Sequence, residues 1–181
     1  MPKLTAGETM PDFSYDTPFD SDILLSETVN QVSGKTAIVF LRYFGCTLCQ
    51  LDLHEYAHAY EDITKNSGQF LVVLQSTAQG LAEQLQPGDF PYPIICDPEK
   101  KLYDMLGVGA APSAKKMMSA SAVIKGVKAV AKGYKHGAYE GDELQLPAVF
   151  VMDRERCLTH VHYGQDVGDA PTAAQLAALL A

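Results

Sequence analysis

The chain has 181 residues, of which 47% are hydrophobic and 20% charged, as is typical of a soluble globular protein. No stretch approaches the roughly 20 consecutive apolar residues that span a bilayer, so the sequence predicts no stable membrane insertion. A net charge of −8 at pH 7 argues against nucleic acid as a partner.

The length and the cysteine content indicate one domain in a reducing compartment. A chain of this size can bury a substantial core, so we expect a single domain over 1–181. Positions 1–10 lack the basic-then-apolar layout of a signal peptide, and four cysteines in this length do not suggest a disulfide framework. We therefore expect a cytoplasmic protein whose closely spaced cysteines serve catalysis or metal binding.

In chain order, apolar β-prone runs alternate with amphipathic helical patterns, which predicts an α/β fold. The predicted strands cover 13–19, 36–44, 69–76, 93–96, 148–152 and 157–163. The predicted helices cover 21–32, 47–65, 78–86, 99–106 and a final stretch that begins near Pro171. Ser21 or Asp20 is predicted to open the first helix, and Asp169 or Ala170 to cap the last. A turn at 153–156 joins the last two strands as a hairpin.

The segment at about 110–141 is predicted to be an insertion that carries a basic amphipathic helix within 113–135. Eight of the fourteen basic residues lie between 100 and 135, where Asp104 is the only acidic residue. Lys125, Lys128 and Lys132 share one helical face. The opposite face is apolar and consists of Ala120, Val123, Ile124, Val127, Val130 and Ala131. The lysines indicate either a solvated helix face or a surface that docks an anionic partner or a membrane.

The pattern C-x-x-C, Cys46 to Cys49, lies between the apolar run at 36–44 and the helical pattern at 47–65. This turn places Cys46 at a helix N-terminus, where unpaired amides and the helix dipole favour the thiolate. A thiolate is the nucleophile in disulfide exchange and in peroxide reduction. The spacing therefore predicts a reactive dithiol in which Cys46 is exposed and acidified and Cys49 lies within reach to resolve it.

The same helix carries His54-Glu55-Tyr56-Ala57-His58, which matches the H-E-x-x-H pattern of zinc proteases. Such an enzyme needs a third protein ligand, and no glycine–histidine extension follows the pattern. We therefore interpret His54 and His58 as surface histidines of an amphipathic helix and predict no metal site. A zinc hydrolase is the alternative function that this motif leaves open.

Three segments together resemble the AhpC/TSA superfamily, and more narrowly its peroxiredoxin-like 2 branch. They are Phe40-Leu-Arg-Tyr-Phe-Gly-Cys46-Thr-Leu-Cys49, Ile95-Cys-Asp-Pro-Glu-Lys-Lys-Leu-Tyr103 and Glu140-Gly-Asp-Glu-Leu-Gln-Leu-Pro-Ala-Val-Phe-Val-Met-Asp153. The resemblance implies a thioredoxin-like three-layer fold, in which helices flank a central mixed sheet. It also implies a thiol-based antioxidant or oxidoreductase activity.

The resemblance assigns roles to three residues. Cys46 would be the attacking thiol and Cys49 its partner, with Pro147, in a cis peptide bond before a buried strand, facing them. Val39 and Tyr43 stand where the family places a proline and a Thr or Ser upstream of the reactive cysteine. For Arg42 two interpretations stay open. Because it shares strand parity with Cys46, it could polarise the peroxide in place of the polar groups that the family uses; otherwise it is an exposed strand arginine.

The function predicted from these features is a thiol–disulfide oxidoreductase of peroxiredoxin-like type. Its substrate would be a peroxide or a disulfide, its reductant a protein or a small thiol, and it would need no dissociable cofactor. The resemblance also allows for a homodimer. The alternative is a redox-sensing or interaction module, without enzymatic turnover, that docks through the basic helix.

Overall fold

The computed structural model describes residues 3–181, which form seven strands and eight helices. The strands are β1 Ser14–Tyr15, β2 Ile23–Leu24, β3 Thr36–Phe40, β4 Gln69–Leu74, β5 Ile94–Cys96, β6 Ala148–Met152 and β7 Leu158–Tyr163. The helices are α1 Leu25–Val29, α2 Thr47–His58, α3 Tyr60–Thr64, α4 Ala78–Ala82, α5 Lys101–Met105, α6 Ala114–Met117, α7 Ala120–Ala131 and α8 Ala173–Leu180.

Five of the strands form one mixed sheet in the order β5-β4-β3-β6-β7. β3 and β5 each pair with β4 in parallel, whereas β6 pairs with β3 and with β7 in antiparallel fashion. β3 is central, and all five of its residues are buried because helices cover both faces of the sheet. The prediction of a mixed sheet within an α/β fold is confirmed.

The two faces of the sheet bury separate apolar clusters, which gives the fold its three layers. Leu53 and Tyr56 of α2, together with α3 and α8, pack on one face. Leu25 of α1 and Tyr103 of α5 pack on the other. Cys46 and Cys49 belong to the cluster beneath α2, so the C-x-x-C turn is built into the core of the protein.

Several element boundaries differ from the prediction for local reasons. The helix predicted at 21–32 begins only at Leu25, because β2 pairs with β1 and takes up the first residues of the pattern. The helix predicted at 47–65 is interrupted at Ala59 and continues as α3. Thr172, rather than Asp169 or Ala170, caps α8, in a reciprocal capping box with Gln175.

The insertion contains α6 and α7, as predicted, and α7 packs against α2. The residues of α7 that face the protein are Ala122, Lys125, Gly126 and Ala129. The three small residues among them allow a close approach between the two helices. Within residues 3–181, no helix is both long enough and apolar enough to cross a membrane.

Candidate active site

Cys46 is the N-cap of α2 and follows the short loop that leaves β3 after Phe40. Its backbone is extended, with φ −70° and ψ 124°, so the chain turns into the helix directly after its sulfur. The backbone N–H of Cys49 donates a hydrogen bond of 3.3 Å to Cys46 Sγ. The sulfur therefore occupies the position at which a helix N-terminus stabilises negative charge.

Arg42 is the cation of the site. Its Nη2 donates to Cys46 Sγ at 3.0 Å, and its backbone N–H donates to Cys49 Sγ at 3.4 Å. Nη1 donates to the Glu143 carbonyl oxygen at 2.6 Å, and the Glu143 carboxylate lies 3.7 Å away. Only 9% of Arg42 is exposed, so the interpretation of an exposed strand arginine is wrong.

The two thiols have pKa values that move in opposite directions. A side-chain hydrogen bond from Cys49 lowers the pKa of Cys46 to about 6, burial opposes this shift, and Arg42 reinforces it. The pKa of Cys49 is raised well above the ordinary value by burial, and next by its interactions with Cys46. At neutral pH the pair is therefore one thiolate, Cys46, and one thiol, Cys49.

This difference predicts a measurable titration. The thiolate ultraviolet absorbance of the protein, minus that of a Cys46→Ser variant, is expected to rise with a midpoint near pH 6. A free thiol would titrate at roughly pH 8.5. Absorbance reports ionisation whether or not the sulfur is reachable. A midpoint at or above that of a free thiol would contradict the assignment of Cys46 as the thiolate.

The expectation that Cys46 is exposed is wrong, because its exposed fraction is 0%. Residues 135–140, here called the cover segment, lie against the turn that carries it. Gly137 N–H donates to the Gly45 carbonyl oxygen at 2.8 Å, and Gly45 N–H donates to the Glu140 carboxylate at 3.2 Å. A side chain at position 45 would collide with the Ala138 carbonyl oxygen, so only glycine fits there.

Beside the two sulfurs is a small cavity, here called the dithiol cavity. It is lined by Leu41, Arg42, Cys46, Cys49, Asp52, Gln145, Pro147 and Val167. Its volume is about 10 Å³, which is room for roughly one water molecule. Within residues 3–181, Gln145 Oε1 is one of two buried side-chain polar atoms without a hydrogen-bond partner.

The peptide bond before Pro147 is trans, so the predicted cis isomer is wrong; no cis bond occurs over 3–181. Pro147 nevertheless lines the dithiol cavity, as the resemblance implies. The carbonyl groups on both sides of this bond are held in place. Leu146 O accepts from Gln145 Nε2 at 3.1 Å, and Pro147 O accepts from Gly164 N–H at 2.8 Å. The trans form is also the lower in energy, by about 0.5–1 kcal/mol.

Sequence reasoning missed Asp52, whose exposed fraction is 4%. Its carboxylate lies 2.7 Å from Lys125 Nζ of the insertion. Burial raises the pKa of Asp52 to about 6, although Lys125 opposes the shift. A signal was present, because Asp52 falls between Cys49 and Tyr56 on the buried face of α2. Glu143 and Gln145 gave no such signal, since almost a hundred residues separate them from the C-x-x-C pattern.

Lys125, Lys128 and Lys132 of the insertion are paired with α2, which corrects the prediction that these three residues dock a partner. Lys128 and Lys132 bind the Glu55 carboxylate at 2.6 and 3.0 Å, and Lys125 binds Asp52. These three positive charges are thus paired with carboxylates of the protein itself. Glu55 is the acidic residue of the H-E-x-x-H pattern.

The histidines of that pattern have other contacts. The His54 ring stacks on Tyr134, with the ring centres 5.3 Å apart and an angle of 13° between the planes. His58 lies at the end of α2 and is exposed. Among the described residues, no three His, Cys, Asp or Glu side chains are grouped closely enough to hold a metal ion.

Three solved structures share the fold at low sequence identity. A cysteine-to-serine mutant of peroxiredoxin 6 of Arenicola marina superposes with a TM-score of 0.67 and 15% identity, over 98% of this chain and 72% of that one. A yeast mitochondrial 1-Cys peroxiredoxin superposes with a TM-score of 0.63 and 12% identity, over 96% of this chain and 73% of that one. Peroxidoxin BcpB of Mycobacterium tuberculosis superposes with a TM-score of 0.60 and 16% identity, over 98% of this chain and 96% of that one. These likenesses confirm the thioredoxin-like fold class.

No curated protein matches the sequence. The family of AhpC/TSA antioxidant enzymes, in contrast, matches residues 52–166, which is more than half of the chain. The matched range begins just after Cys49, so it includes Asp52, Lys125 and Pro147 but neither cysteine of the C-x-x-C pattern. On the strength of this match, the chain belongs to the AhpC/TSA antioxidant enzyme family.

Proposed function

We propose that this protein is a single-domain thiol-dependent oxidoreductase that reduces a peroxide or a disulfide through Cys46 and Cys49. The observation that carries the proposal is the contact of 3.0 Å between the Arg42 guanidinium and Cys46 Sγ at the N-terminus of α2. It supports a stabilised thiolate, which is the reactive form of cysteine. Membership of an antioxidant enzyme family supports the same chemistry.

With a hydroperoxide as substrate, the reaction consists of two steps on the protein. The Cys46 thiolate attacks the terminal oxygen; an S–O bond forms, the O–O bond breaks, and the alkoxide takes a proton from solvent and leaves as an alcohol. Cys46 is now a sulfenic acid. Cys49 then attacks that sulfur, an S–S bond forms, and the hydroxide takes the Cys49 proton and leaves as water. A dithiol reductant, protein or small molecule, gives two electrons and restores both thiols.

The opposed pKa shifts support this order of events. Besides burial, the thiolate charge of Cys46 and its hydrogen bond are what raise the pKa of Cys49. Oxidation to the neutral sulfenic acid removes that charge. The pKa of Cys49 therefore falls only after Cys46 has reacted. The Cys49 thiolate then forms at the step in which it attacks the sulfenic acid.

The structure leaves almost no room for a substrate beside Cys46. The dithiol cavity, at about 10 Å³, is too small for a hydroperoxide larger than water. Substrate therefore reaches Cys46 only when neighbouring residues move. The cover segment is the natural candidate, because polar contacts with Gly45, Gln50 and Tyr43 hold it against the C-x-x-C turn.

The experiment that tests the proposal is mass spectrometry after treatment with one equivalent of hydrogen peroxide. The wild type is expected to form a disulfide between Cys46 and Cys49. A Cys49→Ser variant is expected to accumulate a sulfenic acid on Cys46 that dimedone traps, because the resolving sulfur is missing. As a matched control, the Cys96→Ser/Cys157→Ser variant keeps the disulfide. A Cys46 that stays reduced in excess peroxide would refute the proposal.

A second candidate is a redox sensor that oxidises once and is not recycled, because a disulfide formed at the buried Cys46 is hard for a reductant to reach. Turnover separates the two functions. With dithiothreitol as reductant, an enzyme consumes many equivalents of peroxide per protein molecule, whereas a sensor consumes one.

A further inference from the structure

Helix α7 is oriented with its large apolar side chains towards solvent. Val123, Ile124, Val127 and Val130, here called the apolar row, have exposed fractions of 53%, 71%, 66% and 66%. They follow one another at helical spacing, so they share one face. A helix on a protein surface normally buries such a face and exposes its lysines. Here the arrangement is reversed.

Ion pairs hold this reversed orientation in place. Lys125 reaches inward to the buried Asp52 carboxylate, and Lys128 and Lys132 bind Glu55 on α2. Turning the apolar row inward would break the contact with Asp52 and leave a buried charge without its partner. The apolar row is therefore a fixed feature of the surface, and exposed apolar patches of this kind mark interaction sites.

The ends of the apolar row are positively charged. Lys115 and Lys116 lie just before α7 and Lys135 lies just after it, and all three are exposed. Within residues 3–181, none of the three has a carboxylate in ion-pair contact. The chain as a whole carries −8, so these charges mark this surface as different from the rest. Apolar side chains flanked by free lysines are complementary to an apolar interior beneath an anionic surface.

We propose that α7 lies on an anionic lipid bilayer, with the apolar row immersed among the lipid chains and Lys115, Lys116 and Lys135 at the phosphate groups. The contact is peripheral, because α7 has 12 residues and cannot span the bilayer. A second copy of the chain fits less well, since pairing two apolar rows would bring six unpaired lysines together. An acidic amphipathic segment of another protein is the remaining occupant, and the test distinguishes it.

The experiment is flotation of the full chain with vesicles of phosphatidylcholine, alone or mixed with an equal part of phosphatidylglycerol. The wild type is expected to float with the mixed vesicles only. Ile124→Ser/Val127→Ser is expected to lower the partition coefficient at least about tenfold, because two aliphatic side chains no longer enter the lipid. Each of Lys115→Gln and Lys116→Gln is expected to lower it about fivefold.

A matched control is Phe19→Ser, which removes an apolar side chain of 44% exposure far along the chain from α7. It is expected to float like the wild type, and circular dichroism checks that each variant is folded. The proposal is overturned if the wild type does not bind mixed vesicles, or if Ile124→Ser/Val127→Ser binds them equally well. A dimer that dissociates in this variant, without vesicle binding, would instead assign the apolar row to a second copy. Binding of an acidic amphipathic peptide in the absence of vesicle binding would assign it to a protein.

Discussion

Arg42→Met is expected to lower kcat/KM for peroxide reduction by about 10²–10³-fold at neutral pH, the cost typical of losing one preorganised donor to a reacting atom. Two effects add. The pKa of Cys46 rises from about 6, because Arg42 contributes both charge and a hydrogen bond to its thiolate, so less thiolate is present at pH 7. The guanidinium also no longer stabilises the negative charge that passes to the departing oxygen.

The two effects can be separated by pH. Raising the pH is expected to recover the part of the activity that was lost through ionisation, and to leave the remainder unrecovered. Arg42→Lys keeps the charge but cannot bridge Cys46 and the Glu143 carbonyl, so its activity should fall between those of the wild type and Arg42→Met. Arg154→Met, at an exposed position on the β6–β7 turn, serves as the control. Full activity in Arg42→Met at pH 7 would contradict the role assigned to this residue.

Lys125→Met is expected to lower the free energy of unfolding by about 3–5 kcal/mol, the range found when one partner of a buried ion pair is removed. Asp52 would remain buried without its cation. For a chain of this length the loss corresponds to a fall in Tm of about 6–20 °C. Thermal or urea unfolding followed by circular dichroism measures it.

The effect has a predicted pH dependence. Burial already raises the pKa of Asp52 to about 6, above its value in the unfolded chain, so between these two values the folded state binds more protons. Stability from this group is therefore fully present at low pH and falls as the pH rises through 6. Removing Lys125 raises that pKa further, so the variant should lose more stability at pH 8 than at pH 5.

Lys128→Met provides the matched control on the same helix. The Lys128 side chain is 53% exposed, and its partner Glu55 keeps Lys132, so this loss should stay below about 1 kcal/mol. Equal losses in the two variants, or a loss in Lys125→Met that does not depend on pH, would show that the contact with Asp52 is not the stabilising one.

The sheet and the C-x-x-C turn could be predicted from sequence because both depend on local patterns. The buried run at 36–40 has the composition of a central strand, and Gly45 with Cys46 marks the change to helical spacing. Two features in the same part of the chain could not be predicted this way. The pairing of β2 with β1 shortens α1, and the break at Ala59 divides the long helix in two. Neither feature changes the hydrophobic periodicity of the sequence.

The errors at the site arise from contacts between residues that are distant in sequence. The turn that carries Cys46 is covered by residues of the insertion, about ninety positions later, that lie against Gly45. Lys125 faces inward, and Lys128 turns towards α2, because the protein places Asp52 and Glu55 beside them. An amphipathic pattern identifies two faces of a helix, but it does not say which face a charged partner will attract.

The contact between Gly45 and the cover segment has a consequence for how the site opens. Gly137 approaches the Gly45 backbone so closely that a methyl group on either residue would strike main-chain atoms of the other segment. This contact combines peptide groups with polar side chains, because Gln50 donates to the Lys135 carbonyl oxygen, the Glu140 carboxylate accepts from Gly45 N–H, and Tyr43 hydrogen-bonds to His136. Separating the two segments exchanges these hydrogen bonds for bonds to water. The cover segment can therefore move away from the C-x-x-C turn while the apolar core beneath α2 stays packed.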